Sequence, residues 1–215
     1  LARVYEYIRA KKDTIALNPD TILFIHGLLI GGIDDSIAGR FRKENEYVRV
    51  GKHVAPAPEH VVRMIEILLN DYKTNLELDV FAKIAYFHLQ FETIHPFCDG
   101  NGRIGRVLIN LQLQEYDYPN IIVRDKEKGF YYKTFTYFRD TKSTKEMEKI
   151  IHLSLAEGLN KRITYLEGQD IVTLADYAKT HSLPLAGLIN AGRRQTIPAF
   201  REKGVWKIGA NYKKV

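Results

Sequence analysis

The sequence predicts a mainly α-helical chain that ends in a small module of different construction. Three observations carry that expectation. Apolar residues recur at helical spacing through most of the first 165 residues, only one short stretch alternates like a strand, and the charge balance changes near residue 165. Beyond residue 160 lie ten Lys and Arg against four Asp and Glu, whereas the first 160 residues hold twenty-two of each. The net +6 of this 215-residue chain therefore sits in its last quarter, which marks a separate basic module. The expected division is residues 1–165 and 166–215.

The elements follow in order. Asn18-Pro19-Asp20 starts a helix that Gly31-Gly32 ends. Tyr47-Val48-Arg49-Val50 alternates, and Gly51 stands where a hairpin turns. Pro56 and Pro58 precede Val61, Val62, Ile65, Leu68 and Leu69, the stripe of an amphipathic helix, and Phe81, Ile84, Ala85, His88 and Phe91 repeat it between Leu78 and Ile94. A glycine-containing break separates these from Val107, Leu108 and Leu111, and further helices are expected over about 127–139 and 144–163. In the last fifty residues two short helices, Val172 to Thr180 and Leu183 to Ala191, flank a turn at His181-Ser182. Ile197–Phe200 and Val205–Ile208 then face each other across Glu202-Lys203-Gly204. Helix, turn, helix and hairpin with a basic surplus outline a small winged helix. Arg193 and Arg194 stand beside its second helix, where DNA phosphates could be met; the same outline also serves as a protein-docking or homodimer surface.

Composition excludes several classes. With 45% hydrophobic and 27% charged residues the chain is neither disordered nor collagen-like. Its one cysteine, Cys98, makes no internal disulfide, no apolar run is long enough to cross a bilayer, and no leader peptide opens the chain. A soluble cytoplasmic protein is expected, with no membrane partner.

One stretch is dense in reactive groups: His95-Pro96-Phe97-Cys98-Asp99-Gly100-Asn101-Gly102-Arg103-Ile104-Gly105-Arg106. It lies between two apolar helices. Gly100 and Gly102 let the backbone turn and approach a ligand, and the N–H groups of the following helix start form an anion cradle. Arg103 and Arg106, three apart, project from one side of that first turn with forks suited to phosphate oxygens. Asp99 supplies a hard oxygen for Mg²⁺, and His95 is the nearby group that can take a proton near neutral pH. Together these make a site for phosphoryl-type transfer.

These twelve residues resemble, position for position, the signature HxFx(D/E)GNGRxxR of the Fic family (filamentation induced by cAMP). Tyr47–His53 with Pro56 and Pro58 resembles the family's flap, and Tyr118-Pro119 and Tyr131-Tyr132 extend the likeness over about residues 1–160. The resemblance implies a Fic-type helical domain with a short β-hairpin flap, followed by the winged-helix-like module. It also implies transfer of AMP from Mg·ATP to a Ser, Thr or Tyr hydroxyl of a target protein. On that reading His95 is the general base, Asp99 holds Mg²⁺, and Gly100, Asn101 and Gly102 cradle phosphate oxygens. Arg103 and Arg106 take the β and γ groups, the flap residues Val48, Arg49, Val50 and Gly51 cover the nucleotide and pair with the target, and Tyr131 and Tyr132 lie near the adenine.

Departures from the family pattern keep alternatives open. No [S/T]xxxE[G/N] inhibitory motif is found; the stretches ending in Glu157-Gly158 and Glu167-Gly168 are each one residue too short. Arg139 stands about where some relatives place an amide near the base, so another nucleotide or phospho-group is an open alternative, as is removal of AMP. A rival class is a DNA-binding regulator acting through Arg193 and Arg194. His26 and His88 are expected to be core residues, and His53 and His60 to flank the flap.

Overall fold

The computed structural model describes residues 2–11, 14–75, 77–123 and 128–213, and it is mainly α-helical. The first helix, α1 (Ala2–Ala10), is not among the expected elements; it buries Val4 and Ile8, and its Tyr5 hydroxyl accepts a hydrogen bond from Asn110 Nδ2 at 3.0 Å. Next, α2 (Pro19–Ile30) begins as its sequence predicts: the Asn18 side chain accepts from the Thr21 N–H at 2.8 Å, and Pro19 occupies the first turn. The alternating stretch yields a shorter hairpin than expected, β1 (Arg49–Val50) against β2 (His53–Val54), turned by Gly51 at φ 59°. A 3₁₀ turn over Pro58–His60 leads into α3 (Val61–Thr74).

The two helices that flank the reactive loop are α4 (Val80–Ile94) and α5 (Asn101–Glu115). Asp79 caps α4, accepting from the N–H groups of Phe81 and Ala82. Asp79→Ala is expected to lower stability by about 1 kcal/mol; an unchanged urea midpoint followed by far-UV circular dichroism would show that the cap does not matter. α5 begins several residues before the apolar stripe, so Gly102, Arg103, Gly105 and Arg106 are all helical. Phe87, Phe91, Phe97, Ile104, Val107 and Leu111 share one buried cluster with Ile22, Ile25 and Ile30 of α2. The core thus packs directly beneath the loop. The helix expected from about 127 is α6 (Lys128–Thr141); residue 127 lies outside the described residues.

The chain divides into two compact units, one of Leu1–Tyr118 with Arg124–Glu148, the other of Pro119–Val123 with Lys149–Val215. The expected boundary at residue 165 falls at the end of α7 (Lys145–Leu166). The second unit continues with β3 (Ile171–Thr173), α8 (Leu174–Thr180), α9 (Leu185–Arg193), β4 (Phe200–Glu202) and β5 (Val205–Gly209). Its sheet is antiparallel in the order β3-β5-β4. Several expected boundaries move; α9 runs Leu185–Arg193, two residues later at each end than expected, with Pro184 just before its first turn. Val172 and Thr173 belong to a strand because Thr173 caps α8, its Oγ1 accepting from the Asp176 N–H at 3.0 Å. β4 starts at Phe200 because Pro198, lacking an N–H, cannot join a ladder and the chain bends there, with the Ala199 N–H on Ile197 O. Leu174, Tyr177, Leu188, Ala199 and Ile208 form this unit's own core. No helix among the described residues is long and apolar enough to cross a membrane.

Candidate active site

The reactive loop is fastened from both ends. His95 closes α4 in the left-handed conformation, φ 51°, which histidine tolerates better than most residues, and its N–H bonds Phe91 O. Asn101, first residue of α5 and 2% exposed, reaches back to Phe97: its Oδ1 accepts from the Phe97 N–H at 2.9 Å and its Nδ2 donates to Phe97 O at 2.8 Å. That side chain braces the loop, so what Asn101 offers an anion is its backbone N–H. Gly100 precedes it at φ 84°, where an added Cβ would lie 3.0 Å from Ile30 Cδ1; both the turn and the close approach demand glycine. Phe97 is fully buried and stacks at 3.7 Å on the His26 ring.

Two residues outside the loop complete the brace, and sequence reasoning missed the role of both. His26 takes the Gly39 N–H on Nδ1 at 3.0 Å, so its proton is on Nε2, which donates to Asp99 O at 3.1 Å. Burial lowers its pKa, consistent with that neutral form. Arg42 is 4% exposed and donates to four carbonyls: His95 O at 2.8 Å, Pro56 O at 2.9 Å, Glu46 O at 3.0 Å and Ile94 O at 3.3 Å. It therefore ties the C-terminal end of α4 to both sides of the flap. The flap is further held by a bond between a His53 ring nitrogen and Thr93 O at 2.9 Å, and by the Ala55 N–H on Val48 O. Val50 and Val54 are exposed on it, and Arg49 Nε donates to Gly51 O.

The functional groups converge on the start of α5. Burial pushes the His95 imidazole down to about 4, with Arg42 and His53 adding to the effect, so His95 is neutral at pH 7. Its Nδ1 faces Glu92, 3.4 Å from the backbone oxygen and 3.9 Å from Oε2. Asp99 carries a 64% exposed side chain, with Oδ2 3.0 Å from Arg103 Nη2. The Arg106 guanidinium lies 6.0 Å over the Tyr131 ring. Tyr131 is only 2% exposed, and its hydroxyl meets His88 Nε2 at 2.7 Å. Of the two tyrosines expected near an adenine, Tyr131 thus stands beneath Arg106 with no open face, because its ring packs on His88 and Phe135; Tyr132 is exposed. Gly105 lets α4 and α5 touch: a Cβ there would fall 2.6 Å from Glu92 Oε1.

Among the described residues no group of three His, Cys, Asp or Glu side chains could hold a metal by itself. A single exposed carboxylate suits Mg²⁺, which takes one or two carboxylates and completes its shell with substrate phosphates and water. Cys98 is half-buried, and burial and Glu46 raise its thiol pKa, so it is not an activated nucleophile. In the other unit Arg193 ends α9 and Arg194 follows it, both exposed. Glu157 is held there by Arg201, with Nη2 2.7 Å from Oε2.

The sequence model of the Fic/DOC family matches residues 16–113. Over 127 residues the chain is 36% identical to a probable protein adenylyltransferase of Aquifex aeolicus, covering 58% of this chain and 39% of that protein. It is 33% identical over 124 residues to the protein adenylyltransferase fic-1 of Caenorhabditis elegans, covering 56% of this chain and 24% of that one. The chain thus spans less than half the length of either relative. A crystal structure of a Fic family protein from Desulfovibrio desulfuricans G20 superposes with a TM-score of 0.62 at 19% identity, over 99% of this chain and 75% of that one, a likeness of fold.

Proposed function

We propose, from the match of the Fic/DOC family model to residues 16–113, that the chain transfers AMP from ATP to a Ser, Thr or Tyr hydroxyl of a target protein. Two relatives at 33–36% identity carry the name protein adenylyltransferase. The observation that carries the reading is a neutral histidine fixed at the end of α4, directly before the glycine-opened start of α5. His95 takes the hydroxyl proton as the oxygen attacks the α-phosphorus. The new P–O bond forms as the bond to the β-phosphate oxygen breaks, and pyrophosphate leaves with that electron pair. The backbone N–H groups of Gly100, Asn101 and Gly102, at the positive end of α5, take the α- and β-phosphate oxygens. Arg103 and Arg106 grip the outer phosphates through their forks. Asp99 would hold Mg²⁺, which when bound supplies charge neutralisation at the phosphates. The flap edge at Val48–Gly51 lays the target alongside by main-chain pairing, and Tyr132 supplies a face for the base.

The test is to supply ATP labelled at the α- or the γ-phosphate and follow label on the protein itself and on lysate proteins. Label from the α position alone supports the reading. Label from the γ position, or equal labelling by a His95→Asn variant, overturns it.

A second reading concerns the C-terminal unit, whose helix, strand, two helices and hairpin, with strand order β3-β5-β4, support a winged helix. Exposed Arg193 and Arg194 favour DNA phosphate contact, whereas Lys161 and Lys207 are already paired with Glu202. If the unit binds duplex DNA, affinity falls steeply with log salt, and Arg193→Glu/Arg194→Glu flattens that slope by roughly two phosphates' worth. A shift assay showing no binding at low salt removes this reading.

A further inference from the structure

Glu92 is an acidic side chain in the loop's foundation whose position the reaction above leaves unexplained. It lies on α4 one turn before His95, with a side chain 10% exposed. Its Oε1 is fully buried and has no hydrogen-bond partner, in a fold where buried polar atoms are nearly always satisfied. Its Oε2 is 3.9 Å from His95 Nδ1, beyond hydrogen-bond length and within ion-pair range. A carboxyl kept buried and unsatisfied costs stability, and facing the base is a reason to keep it.

We propose that Glu92 is a positioning residue for His95. Its backbone carbonyl and carboxylate hold the imidazole with Nδ1–H turned inward and Nε2 directed at the incoming hydroxyl, and the carboxylate balances the charge His95 gains on taking the proton. The proposal rests on the AMP-transfer reading above. The proton moves from the target hydroxyl to Nε2, the Nδ1 proton stays where it is, and Glu92 remains an anion throughout. This division of labour, base plus orienting carboxylate, is the general logic of activated nucleophiles.

The surroundings give the dyad a pH signature. Glu92 faces Arg106 from α5, Tyr131 from α6, and His88 and His95 from its own helix. His95 is further influenced by Arg42, His53 and Asp99. Burial pushes Glu92 up to about 7, only partly offset by Arg106, whereas burial holds His95 down at about 4. Between these values both groups are neutral and Glu92 gives no support. Above about 7 Glu92 is ionised and His95 is still an available base. The turnover rate should therefore rise with pH through Glu92 ionisation.

The experiment is the pH profile of AMP incorporation for wild type, Glu92→Gln and Glu92→Asp, with His95→Asn as the inactive control. Glu92→Gln is expected to lower kcat roughly tenfold above neutrality, a fraction of the ~10²–10⁴ the base itself supplies, and to lose the limb near 7. KM for ATP should change by less than about twofold, because Glu92 is not a phosphate ligand. Glu92→Asp should retain the limb. An unchanged profile shape in Glu92→Gln, with His95→Asn inactive, overturns the positioning role and leaves AMP transfer standing. Nitrogen-15 spectra of the His95 ring decide independently of activity: wild type should carry its proton on Nδ1 and show a step near pH 7 that Glu92→Gln lacks. Absence of that step in the wild type overturns the proposal even if the variant does not fold. Failure of wild type to incorporate label while the step is present overturns the AMP-transfer reading instead.

Discussion

His95→Asn should cut AMP transfer by ~10²–10⁴-fold, the usual worth of a well-placed base. Asparagine is the cleaner replacement. His95 sits at φ 51°, where an alanine would strain the backbone by about 1–2 kcal/mol, whereas asparagine adopts this conformation readily. The backbone bonds of the position survive: its N–H to Phe91 O and its carbonyl to Arg42 Nε. ATP affinity should change little, because the phosphate contacts assigned to Gly100–Arg106 are untouched. The measurement is single-turnover incorporation of α-labelled ATP, with binding followed separately by calorimetry. A variant that retains more than a tenth of the activity would mean that the proton leaves by another route.

Arg42→Ala should be strongly damaging to the stability of the N-terminal unit. The guanidinium serves four carbonyls and is 4% exposed, so its removal leaves several buried acceptors unpaired and a space unfilled. At ~1–3 kcal/mol for each acceptor that water cannot reach, a loss of about 3–5 kcal/mol is expected. That corresponds to a fall in Tm on the order of 10 °C. Arg42→Lys should recover little, since an ammonium keeps the charge but not the planar fork. A fall of less than about 2 °C for Arg42→Ala would show that the carbonyls find water instead.

How much of this was legible in the sequence depended on the separation of the partners. The loop from His95 to Arg106 is contiguous and its spacing already places a base, a carboxylate and two arginines around a helix start. Asn101 was legible only in part: its backbone role follows from the motif, but its side-chain brace on Phe97 needed the loop's shape. Arg42 and His26 act across separations of 53 and 73 residues, and nothing in local pattern distinguishes a buried arginine from a solvated one. His26 was correctly expected in the core, yet its grip on Asp99 O depends on how α2 packs. Glu92 reads as one of several polar residues scattered through a largely apolar helix, and the signal that would have found it is its one-turn spacing before His95. The strand β3 was hidden because Val172 and Thr173 run directly into the apolar pattern of α8, and only the cap on Asp176 separates them.

The brace beneath the loop has a consequence for how the site can diversify. Phe97, Asn101, His26 and Arg42 hold the loop entirely from within the chain, so its ordering cost falls on folding and would not be charged again on binding the proposed nucleotide. The flap, by contrast, is two residues a side with Val50 and Val54 turned outward, and its edge is open to new sequence. On the proposed reading, invention at this site is modular: target choice can drift along β1 and β2 while the braced loop from His95 to Arg106 stays as it is. Substitutions at the outward-facing Val50 and Val54, which spare the His53 bond to Thr93 O, are where a change of target would be sought first.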